Sequence, residues 1–350
     1  MQTLSSFYQS IFGCKTYKIS LDAGCTCPNR DGTKGTGGCI FCSQAGSGDF
    51  VADRTLSISE QIEQGKKFVE STVRGRSGER RGMYIAYFQS FTSTYGDANV
   101  LLEKYREALS CEGVVGLAVA TRPDCLNDEI LAGLAEISQN HFVQIELGLQ
   151  TCNEDTGRLI NRCYTNQDYI AAVHRIREAA SQIHIVTHLI FGLPNETEAD
   201  MLNSVKFVAE QNRHPELRER RLQADKMLQW SILSESPSNY VAKGQGSSWG
   251  IKITSLYILQ NTRLAALYET GQYQPLTKEQ YFDLLKKALP LIPENCVVHR
   301  LTGDPPKKEL LAPSWTTDKK RVLNEISAVI ARSVATKQYE CVKARYRLKP

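Results

Sequence analysis

The stretch Met83–Thr121, MYIAYFQSFTSTYGDANVLLEKYREALSCEGVVGLAVAT, carries the pattern that decides the fold. Two apolar runs rich in β-branched and aromatic residues, MYIAYF (83–88) and VVGLAVAT (114–121), are typical of buried strands. The segment NVLLEKYREAL between them has the apolar spacing of a half-buried helix. A strand, a helix and a second strand in this order predict two parallel strands joined by a crossover helix.

The same pattern extends along most of the chain. Four further apolar runs of this kind are KISL (18–21), FVQIELGL (142–149), IHIVTHLIFGL (183–193) and IKITSLYIL (251–259). A further helix is predicted over SISEQIEQGKKFVESTV, with Ser59 as the cap of its first turn. Right-handed crossovers wind successive units the same way, so about six βα units would form a partial or full parallel (β/α) barrel of the α/β class. Ligand groups then lie at the carboxyl ends of the strands.

The length of 350 residues allows either two average domains or one large barrel. We expect a core over residues 1–265, a charged and polar insertion at about 213–248, and a helical C-terminal extension over 266–350 that packs on the core. A net charge of +4 is compatible with an anionic partner but is far below that of a dedicated nucleic-acid-binding module. The N-terminus lacks the pattern of a signal peptide and no apolar run is long enough to span a bilayer, so we expect a cytoplasmic protein without a membrane partner.

A cysteine-rich loop follows the first predicted strand, in the segment DAGCTCPNRDGTKGTGGCIFCSQ. It contains Cys25, Cys27, Cys39 and Cys42, and four glycines, 32, 35, 37 and 38, that permit the positive φ angles needed for tight wrapping. The chain has 11 cysteines, an odd number, and no secretion signal precedes them, so a disulfide framework explains them poorly.

Thiolates suit either zinc or an iron–sulfur cluster, and the loop alone leaves both open. All four sulfurs together, spaced C-x-C-x11-C-x2-C, would suit a closed zinc site. Two features favour a cluster held by Cys27, Cys39 and Cys42: Cys25 and Cys27 lie only two residues apart and compete for space, and the barrel-like remainder of the chain exceeds what a zinc knuckle requires. Three ligands also leave one iron open for a substrate or cofactor.

Further motifs carry a resemblance across most of the chain. They are TCPNRDGTKGTGGCIFC, AYFQSFTSTYG, TRPDCL, ELGLQT, HLIFGLPNET and HRLTGDPPKKELLAPSW. Together they resemble the YhcC/YtqA subfamily of the radical S-adenosylmethionine (SAM) superfamily, in which three cysteines bind a [4Fe–4S] cluster whose open iron chelates SAM. The usual superfamily spacing is C-x3-C-x2-C, whereas eleven residues separate Cys27 from Cys39 here; Phe41 matches the usual aromatic before the third cysteine.

The resemblance implies roles for individual residues. Cys27, Cys39 and Cys42 would hold the cluster, and Cys25 receives no role. The implied SAM-binding residues are Phe41 near the adenine, Gln89 at the amino end, Gln150 at the sulfonium and ribose, Arg162 at the carboxylate, His188 at the ribose, and Gly192 at the strand end. Glu146 is also among the implied SAM-binding residues, and it shares the inward face of its strand with Gly148 and Gln150. In Gln89's motif the usual Gly-Gly-Glu is replaced by Phe-Gln-Ser, and Ala120 stands where Elongator relatives carry Glu. From the residues alone, His188 is equally a core residue, and Arg162 or Glu146 a member of an internal ion pair.

The implied reaction is one-electron cleavage of SAM to methionine and a 5′-deoxyadenosyl radical, with an electron donor such as flavodoxin or ferredoxin. The subfamily is related to the radical SAM half of the Elongator catalytic subunit, so the implied substrate is a tRNA wobble uridine. Five basic residues are candidates for phosphate contacts, or for a solvated face: Lys307, Lys308, Lys319, Lys320 and Arg321. The alternatives are a radical SAM enzyme acting on a small metabolite or porphyrin, and a zinc-stabilised nucleic-acid-binding protein without catalysis.

Overall fold

The computed structural model describes residues 2–46, 51–73, 82–212, 248–318 and 320–329. Its strands are β1 (Gln2–Thr3), β2 (Thr16–Leu21), β3 (Met83–Phe88), β4 (Val114–Thr121), β5 (Phe142–Gln150), β6 (His184–Phe191), β7 (Trp249–Ser255), β8 (Ile258–Leu259), β9 (Cys296–Arg300) and β10 (Leu310–Ala312). Its helices are α1 (Leu4–Phe12), α2 (Ile58–Val73), α3 (Ala98–Ser110), α4 (Asp128–Ile137), α5 (Glu154–Leu159), α6 (Asn166–Ala179), α7 (Glu198–Gln211), α8 (Arg263–Glu269) and α9 (Lys278–Ala288), and residues 320–329 are also helical.

Eight strands form one sheet in the order β1-β9-β7-β6-β5-β4-β3-β2, and every neighbouring pair is parallel. The sheet curls into a half-barrel, which confirms the α/β class and the partial parallel barrel. The strands MYIAYF and VVGLAVAT have the predicted bounds. Because parallel strands joined by crossover helices bury both faces, these runs are almost continuously apolar.

The sheet exceeds the six predicted strands by β1 and β9. β1 has only two residues and β9 five, so neither offers a pattern long enough to detect. The predicted run 251–259 is also divided. Its first part lies in β7, whereas β8 leaves the main sheet and pairs antiparallel with β10.

The outer face of the sheet packs against helices in one large apolar core, in which α2 contacts β2, α3 contacts β4 and α7 contacts β6. Most helices begin at a side-chain cap, as α3 does at Asp97 and α6 at Thr165. The predicted cap of α2 is wrong, because Ser57, not Ser59, exchanges hydrogen bonds with Glu60 at the start of this helix. Ser59 instead donates to Glu107 and joins α2 to α3.

Helix α1 closes the amino end of the half-barrel. It contacts β2 at one edge of the sheet and β9 near the other. Phe7, Tyr8 and Phe12 all make edge-to-face contacts with Phe142, and the Tyr8 hydroxyl donates to Gln144 at 3.2 Å. The carboxyl ends of the strands are therefore the end at which a ligand enters.

The predicted insertion at about 213–248 falls almost entirely on residues 213–247, which lie outside the described residues. Within the described ranges, no helix is long and apolar enough to cross a membrane.

Candidate functional site

The loop after β2 brings Cys27 and Cys39 together although eleven residues separate them. The amide of Arg30 donates to the Cys27 carbonyl at 2.8 Å, and the amide of Gly38 donates to the Asn29 carbonyl at 2.7 Å. The second bond joins the residue just before Cys39 to a residue two positions after Cys27. The intervening segment thus folds back on itself, and the long spacing has the same result as a short one.

Glycines permit this closure in two ways. Gly37 and Gly38 have φ angles of 75° and 71°, and Gly32 one of 90°, as the sequence predicts. Gly35 does not have a positive φ; a Cβ at this position would overlap the side-chain oxygen of Asn29. Gly35 is therefore required for close approach.

Side chains of the loop itself and of three other segments hold the loop by its carbonyl groups. Four donors share this function: Lys104 to Ala23 at 2.6 Å, Arg30 to Cys42 at 3.3 Å, Asn161 to Gly38 at 2.8 Å, and Arg263 also to Gly38. Asn161 adopts a positive φ of 57° after α5, and its own carbonyl accepts from the Asn29 amide. The loop is therefore fixed by α3, α8 and the segment after α5.

Cys27, Cys39 and Cys42 form one group. Burial raises the pKa of the Cys39 thiol to about 12, and the charges of nearby Cys42 and Cys27 raise it as well. Three thiolates on one loop are a donor set that fits an iron–sulfur cluster.

Cys25 does not join this group. It is buried in the main apolar core, and the charges that act on it come from Asp22, Lys104 and Arg54. Among the described residues, no three His, Cys, Asp or Glu side chains are arranged to hold a single metal ion. Cys25 therefore lies in different surroundings from Cys39.

Arg122, at the end of β4, places a positive charge beside this group. Its Nη1 lies 3.8 Å from the Cys27 sulfur, and its other nitrogens form two 2.9 Å bonds with Asp124. Lys34 also binds Asp124, at 2.6 Å, and the Tyr164 ring stacks on the guanidinium at 4.8 Å. Arg122 and Asp124 belong to the motif TRPDCL, and only the fold shows that this turn faces the cysteines.

A cleft runs from the cysteine loop to the ends of β6 and β7. Phe41, Cys42, His188, Thr254 and Ser255 are among its lining residues. His188 shares a 2.9 Å hydrogen bond with Thr254, and burial lowers the pKa of its imidazole to about 3, so the ring is neutral. The buried Ser255 hydroxyl has no hydrogen-bond partner among the described residues. The fold thus brings two predicted SAM-binding residues, Phe41 and His188, next to a predicted cluster ligand.

Gln89 and Gln150 lie at the carboxyl ends of β3 and β5, on the same edge of the sheet. Gln89 follows β3 and is half-buried. Gln150 ends β5 with a φ of 68°, and its buried side-chain oxygen has no partner within the described part of the chain. A buried amide oxygen without a partner is costly unless a ligand donates to it.

Gly192 follows β6 with a φ of 89°. Its amide donates to the Met201 sulfur at 3.2 Å, and its carbonyl accepts from the Tyr273 hydroxyl at 2.6 Å. A Cβ would come within 2.9 Å of the Leu276 side chain. These contacts show that packing and backbone conformation require a glycine at position 192.

Arg162 lies in a buried network behind the edge. Its guanidinium donates to five acceptors: the carbonyl oxygens of Leu149, Thr151 and Tyr164, and the side chains of Glu154 and Asn166. All five N–H groups are engaged. Pairing with a SAM carboxylate would break one of these bonds. In this fold Arg162 instead forms an internal ion pair with Glu154 at 2.9 Å.

Glu146 lies deeper, on the inner face of β5, and is also in an internal ion pair. Lys18 and Lys252 contact its carboxylate at 2.6 and 3.3 Å, and these charges hold its pKa well below the usual value in spite of burial. Sequence reasoning missed both lysines. The available signal was a lysine within each of two otherwise apolar strand patterns, KISL and IKITS.

The chain matches the model of the radical SAM superfamily over residues 32–208, which begins after Cys27, and the model of the Radical_SAM C-terminal domain over residues 248–332. It is 36% identical to the protein YtqA of Bacillus subtilis, over 93% of this chain and 88% of YtqA. It is 33% identical to the protein YhcC of Escherichia coli, over 87% of this chain and 84% of YhcC.

Among solved structures, Elp3 of the archaeon Methanocaldococcus infernus is similar with a TM-score of 0.54 and 14% identity. The match covers 85% of this chain and 58% of the Elp3 chain, so this chain spans a little over half of that protein's length. At this level of identity the likeness shows a common fold.

Proposed function

This chain belongs to the radical SAM superfamily, as its motifs predict, and we propose that it binds a [4Fe–4S] cluster and SAM at the cysteine edge to modify a tRNA wobble uridine. The observation that carries the cofactor part is the closure of the loop, which groups Cys27, Cys39 and Cys42 beside the cleft lined by Phe41 and His188. An electron donor such as flavodoxin or ferredoxin completes the proposal.

Cys27, Cys39 and Cys42 would hold the cluster, which when bound supplies the electron for cleavage of SAM to methionine and a 5′-deoxyadenosyl radical. The superfamily model includes Cys39 and Cys42, and the backbone closure supports Cys27 as the third ligand. Arg122 would offset the negative charge of the thiolates.

The cleft residues would orient SAM. Phe41 offers an aromatic face to the adenine. The neutral His188 ring and the free hydroxyl of Ser255 offer hydrogen bonds to ribose hydroxyls, and Gln150 offers its amide oxygen. We do not assign the SAM carboxylate to Arg162, because its donors are engaged. The aromatic residues of α1 close the amino end of the half-barrel and limit the entry of water there.

The tRNA substrate is supported by the subfamily resemblance and its relation to the Elongator catalytic subunit. Lys307, Lys308, Lys320 and Arg321 are exposed, as phosphate contacts would require, although Arg321 also pairs with Glu325 at 2.9 Å. Lys319 lies outside the described residues.

The cofactor proposal is tested by changing the cysteines one at a time. We expect Cys27→Ala, Cys39→Ala and Cys42→Ala each to abolish the brown absorbance and 5′-deoxyadenosine formation after anaerobic reconstitution. Cys25→Ala is the matched control from the same loop and retains both, because Cys25 packs in the apolar core. SAM cleavage that survived all three changes would refute the cofactor proposal.

The substrate proposal is tested separately by nucleoside profiling of tRNA from a strain that lacks the gene. We expect loss of one wobble-uridine modification and its return with the wild-type gene. An unchanged wobble-uridine profile would refute the tRNA substrate and leave the cofactor proposal standing.

A further inference from the structure

We propose that Lys18 and Lys252, on the inner face of the half-barrel, bind an anionic oxygen group of the substrate, either a carboxylate or a phosphate. The inference rests on the proposed function in one respect, since it assigns the inner face of the half-barrel to the substrate of the same site. It specifies a charge that the substrate carries.

The carboxylate of Glu146 has no remaining capacity for hydrogen bonds. Its Oε1 accepts from Lys18 at 2.6 Å and from Gln144 at 2.7 Å. Its Oε2 accepts from the Tyr87 hydroxyl at 2.6 Å and from Lys252 at 3.3 Å. A carboxylate offers about four lone-pair positions. Glu146 is therefore occupied and cannot serve as an additional acceptor.

The lysines, in contrast, have donors to spare. Each ammonium group carries three N–H bonds. Lys18 uses one of them on Glu146, and Lys252 uses one on Glu146 and one on the Tyr87 oxygen at 3.4 Å. Among the described residues, the hydrogen bonds of these two groups leave the other N–H bonds available. What this centre offers a ligand is thus exclusively donors.

The charges are also unequal. Two ammonium groups face one carboxylate, and Tyr87 is protonated because burial and Glu146 raise its pKa. The nearby imidazoles of His184, His188 and His299 are neutral because burial lowers their pKa values. Arg300, which also acts on this centre, is paired with Asp304 at 3.4 Å. Two ammonium groups therefore share one counterion. Burial lowers the pKa of Lys252 while Glu146 raises it, and an anion bound beside it would further stabilise its charged form.

The strand beside Glu146 carries small side chains. On the inner face, Ala118 and Ala120 of β4 lie in register with Gln144 and Glu146, so the neighbouring strand presents only methyl groups. Side-chain exposure is 19% for Lys18 and 14% for Lys252, but 4% for Glu146. The two lysine side chains are therefore somewhat more exposed than the carboxylate that they share.

The position of the centre connects it to the cleft. Lys252 is in register with His188, and Thr254, two residues further along β7, bonds to His188 in the cleft wall. A ligand whose anionic end binds the lysines would extend its remainder toward Phe41 and Cys42. The anionic group would therefore orient the substrate below the cofactor edge.

Anion binding to the full-length protein tests the inference. Thermal unfolding is followed while sodium phosphate or sodium propionate replaces sodium chloride at constant ionic strength. We expect a saturable rise in Tm with phosphate if the substrate presents a phosphate, or with propionate if it presents a carboxylate. Lys252→Gln removes the surplus charge, and we expect its affinity for that anion to fall about tenfold or more.

Glu146→Gln provides a test of opposite sign. It leaves both lysines without a counterion, so we expect tighter anion binding than in the wild type, whereas general damage to the fold would weaken it. Lys286→Gln, at an exposed lysine on α9, is the matched control and keeps wild-type affinity. The inference is overturned if neither anion acts more strongly than chloride, or if Glu146→Gln weakens binding as Lys252→Gln does. SAM cleavage by the wild type without either anion is measured in parallel, so that failure of the proposed function is recognised independently.

Discussion

The cysteine loop and the Glu146 centre are both polar sites of the same half-barrel, yet they are built in different ways. The loop occupies one continuous segment, and backbone hydrogen bonds such as Gly38 to Asn29 close it. The Glu146 centre takes Lys18, Tyr87, Glu146 and Lys252 from four strands, and side chains alone connect them. A local site can be recognised in the sequence, whereas a site assembled across strands depends on the sheet.

The difference also concerns stability. Thiols are tolerated in apolar surroundings without a metal. Removal of Glu146 would leave both ammonium groups without the carboxylate that they share, which is costly for partly buried charges. We therefore expect changes at the charged centre to affect folding, and changes in the loop to affect the proposed cofactor binding.

The largest expected effect comes from removing the carboxylate altogether. Glu146→Leu leaves two ammonium groups buried, and we expect a loss of about 3–5 kcal/mol in the free energy of unfolding, measured by urea denaturation. Glu136→Leu, at a 69% exposed carboxylate paired with Arg106, is the control and should change stability by less than about 1 kcal/mol. Equal effects of the two changes would mean that the centre does not contribute to folding.

A smaller effect is expected in the loop. Gly35→Ala introduces a methyl group against Asn29, whose displacement separates Cys39 from Cys27. We expect iron content after reconstitution to fall by about half or more while the unfolding free energy changes by only about 1–2 kcal/mol. Gly96→Ala is the matched control, since its Cβ would meet nothing closer than 3.5 Å. Full iron loading of Gly35→Ala would show that the loop tolerates a wider turn.

The smallest effect concerns Arg122, which faces the loop from β4. Its charge favours the more negative, reduced cluster, so Arg122→Gln should lower the midpoint potential by some tens of millivolts, of the order of 1 kcal/mol. The potential is measured by a redox titration followed by electron paramagnetic resonance. Arg321→Gln, on the exposed 320–329 helix, should leave the potential unchanged. An unchanged potential in Arg122→Gln would restrict this residue to holding Asp124.

Much of the fold was predictable because its strands are long and almost fully apolar. The runs at 83–88 and 114–121 have the predicted bounds, and β5 and β6 differ from prediction by one or two residues at their ends. β1 and β9 were missed because strands of two and five residues acquire their pairing from the sheet that receives them. The predicted cap at Ser59 was wrong by two residues. Ser57 and Ser59 both stand shortly before acidic residues, and it is Ser57 that bonds to Glu60.

For the site, the sequence by itself determined the family and, through it, the cofactor chemistry that we propose. The order of thiols, glycines and one aromatic along 25–42 lies in one continuous segment, so it can be read without knowing how the strands pair. Only the tertiary structure decided which polar residues face which ligand. Arg162 matches a SAM-binding motif, but its guanidinium donates to backbone carbonyls inside the fold. Lys18 and Lys252 are separated by most of the chain, yet both contact the carboxylate of Glu146. The physical reason is that hydrogen-bond capacity is shared among all neighbours in space, and sequence spacing records only the neighbours along the chain.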